Sequence, residues 1–582
     1  MKNCIFCLLL VLMHACKSKE HVPDRLFDIL MPENTGIDFD NKLTESLTRN
    51  GLFYEYYYNG AGLAVADLNN DGLQDIFFLS NLYPNRLYLN QGNLKFRDVS
   101  KVSGIADHSG FPTGVTTVDI NCDGWMDIYI SNSGKYTDNE LRKNKLWINQ
   151  GETDTGIPAF KEESSKYALD ISTCSTQSVF FDYDRDGDLD MFQINHYPDV
   201  YAFEDIEKLM HTESDITGDR LYQNQNGKFV DVSKKAGIVN NSLSYGLGLG
   251  ISDLNNDGWP DVYVSNDFSG KDFLYVNNRN GTFTESIDKP LNHLSYASMG
   301  NDLADFNNDG WSDIVTLEMT AEDNYTMKTS KGMMNLDHFQ TLVDLGLHHQ
   351  YMYNTLQVNN GISRRDQFPI FSDIAQLGGI SNTDWSWAPL LFDMDNDGLK
   401  DLFIANGIKR DFVNEDYLDF VEKKMTEIKA AGKMDKNEFI KSVLDRMPER
   451  KKSNYFFQNK GNLTFEKRNG QWAEDMRSCS NGAAYADLDN DGDMEIVVNN
   501  SDGPAVIYKN NSRERGSGNF LQFKLFGQKD NPVGIGAKII LKQTGQIQMQ
   551  EQYLTRGFLS SVSPILTFGL GSDKMVPEIE VI

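Results

Sequence analysis

Short apolar runs alternate with acidic, glycine-containing turns along most of this chain. Residues 63–66 (Leu-Ala-Val-Ala) precede the first such turn, and residues 76–79 (Ile-Phe-Phe-Leu) follow it. Apolar runs of this length, bounded by turn residues, are typical of β-strands. Each unit is therefore predicted to be a β-hairpin whose turn is acidic.

A second recurring segment predicts two more strands for each unit. It first spans residues 85–96, where an apolar strand, an Asn/Gly turn and a strand carrying Phe96 follow one another. Four strands in each of seven units predict an all-β fold, a seven-bladed β-propeller, because radial repetition leaves only short sheet edges. Residues 36–45 read like a fourth strand with no preceding blade, so we expect them to close the ring against the last blade.

The seven acidic turns, numbered here as loops 1 to 7, share a nine-residue pattern. Positions 1, 3, 5 and 9 carry side-chain oxygens, and glycine at position 6 permits the positive φ that folds the turn. Calcium accepts six to eight oxygens at about 2.3–2.6 Å, so these side chains and the position-7 carbonyl are suitable ligands. In loop order, the expected ligands of up to seven Ca²⁺ ions are Asp67, Asn69, Asp71, Leu73, Asp75; Asp119, Asn121, Asp123, Trp125, Asp127; Asp182, Asp184, Asp186, Asp188, Asp190; Asp253, Asn255, Asp257, Trp259, Asp261; Asp305, Asn307, Asp309, Trp311, Asp313; Asp393, Asp395, Asp397, Leu399, Asp401; and Asp487, Asp489, Asp491, Asp493, Glu495.

Two roles for these loops are open. An ion in each loop can tie the two inner strands of a blade together and neutralise clustered carboxylates. Alternatively, an ion with an open coordination position can recruit an acidic ligand or polarise a substrate. The near identity of the seven copies favours the structural role, because catalysis would single out one copy.

Composition narrows the class of partner and the chemistry. Much of the net charge of −29 lies in the loops, and this acidity argues against nucleic acid as a partner. The sequence has no His-Glu-x-x-His zinc motif, Gly-x-Ser-x-Gly elbow, phosphate loop or Cys-x-x-Cys pair. His338, His348 and His349 share one insertion and can bind a transition metal, but their spacing fits packing or exposed histidines better.

The first 15 residues are predicted to be a bacterial lipoprotein signal peptide. Lys2 is followed by an apolar run that ends in His14-Ala15-Cys16. Cleavage before Cys16 would leave that residue lipid-modified, whereas the alternative is a secretory signal with an incidental cysteine. Residues 16–35 then form a tether that precedes the propeller.

Residues 36–515 are assigned to the propeller, with helical insertions at about 320–353 and 412–447. The second insertion has apolar residues at spacings of three and four, which predicts two helices. Both insertions are expected on the rim of the ring, either as partner sites or as passive elaborations. Residues 516–582 are assigned to a small C-terminal β domain.

Aromatic residues stand at the start of several inner strands, eight or nine positions before the first aspartate of a loop. An inner strand of about eight residues places them at the end opposite the loops. An exposed aromatic ring there can stack on sugars or grip a peptide; alternatively, these side chains only plug the channel. The candidate ligand face comprises Tyr58, Phe111, Tyr245, Tyr296, Trp385 and Trp387.

The loops and their flanking strands resemble FG-GAP/VCBS repeat proteins, whose architecture in integrin α-subunits is a seven-bladed propeller. In that family the loops bind calcium, which implies the ligand assignment given above. Residues 531–537 and 568–571 resemble the ASPIC/UnbV domain that follows such repeats in cartilage acidic protein and its bacterial relatives. Because the family pattern continues past the position of Ile582, this domain is expected to be incomplete. The resemblance implies a secreted or surface module and no established reaction.

The function expected from these features is a calcium-stabilised, lipid-anchored binding or assembly module at the outer membrane, on the cell surface or the periplasmic face. Its partner is then a protein complex, for example a TonB-dependent importer, or a glycan or peptide ligand. The alternative is a calcium-assisted polysaccharide lyase or glycoside hydrolase acting at the channel mouth.

Overall fold

The computed structural model describes residues 24–582 apart from 108, 154, 200–204, 331, 333, 366–367, 433–434 and 544. The expected signal peptide, residues 1–15, and the expected lipid attachment at Cys16 lie outside the described residues. Strands dominate the described part of the chain and helices are few, so the fold is all-β.

Seven sheets, each built on four antiparallel strands, repeat among the described residues, and we number them with their loops. Six of them have four strands, and sheet 1 has two more from the C-terminal hairpin. In each sheet the loop joins the first and second strands. The strands, from innermost outward, are: sheet 1, Leu63–Ala66, Asp75–Phe78, Arg86–Asn90, Phe96–Asp98; sheet 2, Pro112–Val118, Asp127–Asn132, Lys145–Glu152, Pro158–Glu162; sheet 3, Ser175–Phe181, Asp190–Asn195, Arg220–Asn224, Phe229–Asp231; sheet 4, Gly246–Ser252, Asp261–Asn266, Phe273–Asn277, Phe283–Glu285; sheet 5, Asn301–Ala304, Asp313–Thr316, Thr355–Ile362, Pro369–Asp373; sheet 6, Ser386–Phe392, Asp401–Asn406, Tyr455–Asn459, Phe465–Lys467; sheet 7, Ser480–Ala486, Glu495–Asn500, Val506–Asn510, Phe27–Leu30.

The first strand of each sheet contacts the first strands of its two neighbours in sequence order, and that of sheet 7 contacts that of sheet 1. These inner strands are buried along their whole length in several sheets, as in Gly246–Ser252. A strand buried on both faces reads as a short apolar or small-residue run without alternation, which is why the sequence pattern was visible.

The prediction that residues 36–45 supply the closing strand of sheet 7 is wrong. Phe27–Leu30 fills that position and pairs antiparallel with Val506–Asn510. Phe27 is buried and packs on Phe456 with ring centroids 5.3 Å apart. Residues 36–45 instead cross from sheet 7 to sheet 1 and form only isolated bridges to sheet 7, Asp40 with Pro504 and Asn41 with Ser501.

Helices lie in the connections between strands. The two long ones, Glu415–Ala431 and Lys436–Arg446, occupy the insertion at 412–447, and two more occupy the insertion at 320–353. No helix within the described ranges is both long enough and apolar enough to cross a membrane. The helices of the 320–353 insertion are Asn324–Thr329 and Leu336–Asp344. Other short α-helices are Pro32–Thr35, Ser164–Tyr167, Ile206–Met210, Ser233–Ala236 and Ala375–Gly378. Two pairs of two-residue strands also occur: Leu294–Ser295 beside Gln350–Tyr351, and Lys452–Ser453 beside Arg477–Ser478.

The C-terminal residues form two small sheets and one short hairpin. Asn519–Lys524 pairs with Ile565–Gly571, and Lys538–Gln543 lies between Gln546–Glu551 and Glu578–Val581. The hairpin strands, Thr555–Arg556 and Ser560–Ser561, join sheet 1 through a parallel pairing of Ser561 with Ala64. This domain therefore reaches into the inner strands of the repeated sheets.

Candidate metal centres

Each loop is held by the same two hydrogen bonds to its first aspartate. In loop 1, Asp67 Oδ1 accepts the backbone N–H of Asp71 and Asp67 Oδ2 accepts that of Gly72, both at 3.0 Å. Equivalent pairs occur in the other six loops. The position-6 glycines have φ between 85° and 99°, a conformation that penalises any Cβ, so the sequence folds there only with glycine.

The position-9 carboxylates lie at the buried base of each loop. Asp75 Oδ2 accepts the N–H of Leu68 at 3.0 Å, and Asp75 Oδ1 accepts the N–H of Asn90 on the third strand at 2.8 Å. Burial raises the pKa of the equivalent Asp127 to about 8 and that of Asp190 to about 9. These carboxylates connect the loop, the second strand and the third strand of one sheet.

Position 3 presents oxygens that the protein itself leaves without partners. Oδ1 of Asp184, Asp395 and Asp489 is buried and has no hydrogen-bond partner among the described residues. In each of these loops, carboxylate oxygens from positions 1, 3 and 9 lie within 4.8 Å of one another: Asp182, Asp184 and Asp190; Asp393, Asp395 and Asp401; Asp487, Asp489 and Glu495. Buried carboxylate oxygens without donors need a positive charge nearby, and carboxylate oxygens are the ligands that hard cations prefer. The residues present in loops 3, 6 and 7 therefore fit a cation.

Loops 1, 2, 4 and 5 have asparagine at position 3, and their geometry differs. Asn69 Nδ2 donates to Asp71 Oδ2 at 2.9 Å, and loops 2 and 5 have the same bond. A neutral amide donor therefore satisfies one oxygen of the position-5 aspartate in these three loops. Asn69 Oδ1 is nevertheless buried without a partner, so this loop also retains a free oxygen within the described structure.

At position 7 of each loop, the backbone N–H, rather than the side chain, contacts the position-5 carboxylate. Leu73 N donates to Asp71 Oδ1 at 2.9 Å, and the equivalent bond occurs in the other loops. The backbone of Leu73, Trp125, Asp188, Trp259, Trp311, Leu399 and Asp493 therefore orients the position-5 aspartate of its own loop.

Position 4, which the sequence analysis did not single out, links each loop to the next. Asn70 Nδ2 donates to the Gly124 carbonyl at 3.0 Å, and asparagines in loops 4 to 7 make the same contact with the following loop. In loop 3, the Arg185 guanidinium replaces asparagine and donates to Gly258 O at 2.8 Å. Loop 2 has Cys122 here, and the described residues contain no equivalent bond from loop 2 to loop 3. The recurrence of asparagine at this position was the signal that could have identified the link.

An asparagine at the end of each third strand adds a second link between neighbouring sheets. Asn90 Nδ2 donates to Gln74 O of its own loop and, at 2.8 Å, to Leu488 O of loop 7. The same double contact occurs in every other sheet except sheet 3, where Asn224 Nδ2 bonds only Leu189 O among described atoms. Among the residues that the structure describes, the junction of sheets 2 and 3 therefore has neither of these links.

The C-terminal domain covers part of the loop face. Lys538 Nζ lies 3.1 Å from Asp253 Oδ2 of loop 4, and Gln522 Nε2 donates to Asp487 Oδ2 of loop 7 at 2.8 Å. A cleft of about 830 Å³ separates this domain from loops 3 and 4, with Arg185 and Trp259 in its wall. The first ligand positions of loops 4 and 7 are thus in contact with another domain.

The hairpin of the C-terminal domain fills the space between the inner strands. Leu559 O accepts the N–H of Val115 on sheet 2 at 3.0 Å, and Gly557 O accepts that of Asn301 on sheet 5 at 3.2 Å. A Cβ at Gly62 would lie 1.6 Å from Leu559 O, so sheet 1 needs glycine there. Phe558 is buried against Trp387 of sheet 6.

A buried ion pair accompanies this hairpin. Arg556 Nη1 lies 2.9 Å from Asp302 Oδ1 and also donates to Leu303 O at 2.8 Å. Asp302 Oδ2 accepts the N–H of Leu391 on sheet 6 at 2.7 Å. The charge of Arg556 is thereby compensated at the centre of the sheets, where an unpaired charge would be costly.

Of the two alternatives for the aromatic residues, an exposed face or side chains packed at the channel end, the structure shows buried, packed side chains. All six side chains, Tyr58, Phe111, Tyr245, Tyr296, Trp385 and Trp387, are at most 3% exposed. The turn Glu55–Tyr58 and its neighbours cover this end: Tyr56 Oη donates to Asp267 at 3.1 Å, and Tyr54 Oη contacts His196 Nε2 at 2.8 Å. The aromatics pack under this segment because it supplies the apolar partners that the sequence pattern could not reveal.

The three histidines of the insertion do not converge. His348 Nε2 contacts Leu291 O at 3.1 Å, and His338 packs edge-on against Tyr296. The described chain contains no group of three metal ligands that includes a histidine. His338 and His348 are half-buried, whereas His349 is exposed.

Comparison with known proteins finds one repeat family and one domain family in this chain. The FG-GAP-like repeat family matches residues 67–130 and 253–316, and the family described as ASPIC and UnbV matches residues 527–582. Cartilage acidic protein 1 of Mus musculus is 26% identical over 278 residues, covering 44% of this chain and 39% of that protein. Integrin alpha-8 of Gallus gallus is 29% identical over 157 residues, covering 25% of this chain and 14% of its own length.

A solved structure of an Agrocybe aegerita lectin that recognises non-reducing terminal N-acetylglucosamine aligns with 78% of this chain and 95% of its own, at 13% identity and a TM-score of 0.36. The chain spans less than half the length of the curated relatives that it matches. The loops matched by the first family are loops 1, 2, 4 and 5, and the second family covers the hairpin that enters the sheets. The chain therefore contains FG-GAP-like repeats followed by a C-terminal ASPIC and UnbV domain, and it is homologous to cartilage acidic protein 1 and integrin alpha-8.

Proposed function

We propose that this protein is a seven-bladed β-propeller whose loops bind calcium, and that it serves as a rigid binding or assembly module. The observation that carries the proposal is the set of buried position-3 oxygens, Asp184, Asp395 and Asp489, which lack donors within the described structure. Each belongs to a group of three carboxylates from one loop. A bound cation would satisfy them and fix the inner hairpin of its blade.

Calcium suits this donor set better than softer metals. The ligands are all oxygens, they come from one flexible turn, and they include carboxylates that coordinate through one or two atoms. Loops 3, 6 and 7, which have aspartate at position 3, are expected to bind first. The asparagine loops carry one charge fewer and bind more weakly.

A scaffold role is favoured over chemistry at the channel mouth. The hairpin around Phe558 occupies the centre on one side, and the segment around Tyr56 covers the other end. A polymer substrate would have to displace both. The outer surfaces of the blades and the helices of the 412–447 insertion are then where partners bind.

The setting we propose is extracytoplasmic, with the chain attached to the outer membrane through a lipid on Cys16. This part of the proposal rests on the N-terminal sequence pattern alone. The partner we propose is a membrane-protein complex, with a glycan or peptide ligand as the other class.

Calorimetric titration of metal-stripped protein with Ca²⁺ tests the core of the proposal. Asp395→Asn makes loop 6 resemble the asparagine loops, so we expect this variant to bind calcium more weakly at one site. Asp416→Asn, which removes an exposed carboxylate from a helix outside the loops, is the matched control and should bind like the wild type. Absence of any heat of binding, together with an unchanged melting temperature in chelator, would overturn the proposal.

Affinity capture of the tagged full-length protein from its own detergent-solubilised membranes tests the assembly role. A stoichiometric partner that is retained with calcium and lost with chelator is the expected result. Capture of no partner, with turnover of polysaccharide by the purified protein, would instead favour the enzyme.

A further inference from the structure

Loop 7 carries a second group of carboxylates beside the one already described. Oxygens of Asp491, Asp493 and Glu514 lie within 4.8 Å of one another. None of these three side chains belongs to the group formed by positions 1, 3 and 9 of the same loop. Asp491 and Asp493 are positions 5 and 7 of loop 7, whereas Glu514 follows the third strand of sheet 7.

One member of this second group, Asp493, has a buried oxygen without a partner among the described residues. Asp493 is 1% exposed, and its Oδ1 has no hydrogen-bond partner in the described part of the protein. Its Oδ2 accepts the N–H of Arg513 at 3.0 Å, which fixes the carboxylate next to Glu514. A buried carboxylate oxygen without a donor is costly unless a cation or a polar ligand satisfies it.

The local charge also exceeds what one dication neutralises. Loop 7 has acidic side chains at all five odd positions, and Glu514 adds a sixth carboxylate. Within the described structure, Lys509 forms an ion pair with Glu514, and its Nζ also lies 3.4 Å from Asn511 Oδ1. One divalent ion and one ammonium leave three negative charges in a small volume, whereas two divalent ions leave one.

We propose that loop 7 binds two divalent cations, the second held by Asp491, Asp493 and Glu514. This inference rests on the proposed calcium binding of the loops and extends it to a site that the nine-residue pattern does not contain. Asp491 lies between the two groups and can share its two oxygens between the ions. The chemistry is that of an oxygen-only site for a hard cation.

Loop 3 provides an internal comparison. It also has aspartate at position 7, and Asp188 Oδ1 is likewise buried without a partner among described atoms. No third acidic side chain joins Asp186 and Asp188 within the described residues. A position-7 aspartate alone thus does not complete the second group; Glu514 does.

The second ion would connect loop 7 to the segment that leads into the C-terminal domain. Arg513 donates to Gly518 O at 3.1 Å and its guanidinium stacks over Phe520, 5.1 Å from the ring centroid. Ser512 Oγ donates to Met394 O of loop 6 at 3.0 Å. Through Glu514, binding of the second ion would order this connection, so calcium would also control how firmly the C-terminal domain is held.

Counting bound ions by native mass spectrometry tests the inference. At about 1 mM Ca²⁺, a concentration suited to extracellular calcium modules, the wild type is expected to hold one ion more than Glu514→Gln. Glu514 is exposed, so this variant should fold; Asp493→Asn should lose the same ion. Glu474→Gln, which removes another exposed, ion-paired carboxylate outside the loops, is the control and should keep the full count.

The outcomes separate the two proposals. Equal ion counts and affinities for Glu514→Gln and the wild type would overturn the second site while leaving the loop sites intact. A wild type that binds no calcium would overturn both. Loss of one ion in Glu474→Gln as well would also overturn the second site, since the loss would not be specific.

Hydrogen exchange gives a second readout. Calcium should slow amide exchange in residues 511–518 of the wild type by at least severalfold and should leave Glu514→Gln unprotected there. Equal protection in both proteins would contradict the role assigned to the connection.

Discussion

The side-chain amide of Asn490 donates to the carbonyl of Gly72 at 3.1 Å, across 418 residues of sequence. Loop 7 is thereby joined to loop 1 by the same contact that joins loop 1 to loop 2. Asn90 of sheet 1 also reaches Leu488 O of loop 7, and Asn499 of sheet 7 donates to Gly62 O and Leu79 O beside sheet 1, so several polar links join the first and last sheets.

Removing the Asn490 bond should lower stability modestly. Asn490 has φ of 59°, so Asn490→Gly keeps the backbone unstrained while it deletes the donor. We expect a loss of about 1 kcal/mol, the usual net value of such a bond, measured by urea unfolding. Asn93→Gly, at an exposed turn position with φ of 54°, controls for the asparagine-to-glycine substitution itself and should lower the unfolding free energy by less. Equal losses would show that the link contributes nothing.

Cys122→Asn should stabilise the protein by about 0.5–1.5 kcal/mol, because it adds the bond that loop 2 lacks. Cys122 has φ of 58°, and asparagine tolerates this region better than cysteine does. Thermal unfolding of the two proteins side by side measures the gain. A lower melting temperature for the variant would show that the junction of sheets 2 and 3 cannot accommodate the link.

Removal of divalent ions should lower the melting temperature, and the loss should be shared unequally among the loops. Asp184→Asn should reduce the calcium-dependent part of the shift, whereas Asn69→Asp should increase it by adding one charge to loop 1. Differential scanning fluorimetry with and without chelator provides the comparison. Identical shifts in both variants would contradict the assigned role of position 3.

Phe558→Ala should cost about 3–5 kcal/mol, the range found when a buried phenylalanine is truncated. Phe558 is 1% exposed at the centre of the sheets. Phe526→Ala is the control, because Phe526 is 84% exposed in the same domain and should change stability little. A small effect of Phe558→Ala on urea unfolding would mean that the hairpin does not stabilise the sheets.

Glu55→Gln should stabilise the protein at pH 8 but not at pH 4. Burial, and then the nearby Asp267, raise the pKa of Glu55 to about 7 from its ordinary 4.5. Between these two values the unfolded chain releases a proton that the folded protein retains, so the wild type loses stability as the pH rises. The difference should reach up to about 3 kcal/mol above pH 7. A difference that is constant with pH would exclude this titration as the cause.

The repeated parts of the structure were predictable because they are local. Apolar runs around a glycine-containing acidic turn specify a hairpin without reference to the rest of the chain, and loops such as Asp67–Asp75 form where they were expected. The closing strand was misplaced because both candidate segments alternate apolar and polar residues, Phe27 with Ile29 and Ile37 with Phe39. Only pairing with Val506–Asn510, far along the chain, distinguishes the two segments. Local pattern cannot resolve that choice.

The burial of the candidate ligand face could not be predicted from the sequence for a different reason. The burial of Trp387 depends on Phe558, more than 150 residues later, and that of Tyr245 depends on the segment around Tyr56, nearly 200 residues earlier. The position of the Thr555–Ser561 hairpin in the ring also had no signal in the repeats. Such contacts join segments that share no sequence pattern, so they could not be predicted from composition and spacing.

The hairpin that holds Leu559 against Val115 also sets the order in which the molecule can be completed. Residues 555–561 leave the ribosome after the last of the acidic turns, so the earlier sheets must wait with an open centre. A nascent chain in that state exposes small-residue strands and the uncompensated Asp302, which makes it a target for aggregation and for chaperones. Insertion of this hairpin therefore cannot precede synthesis of the seven acidic turns.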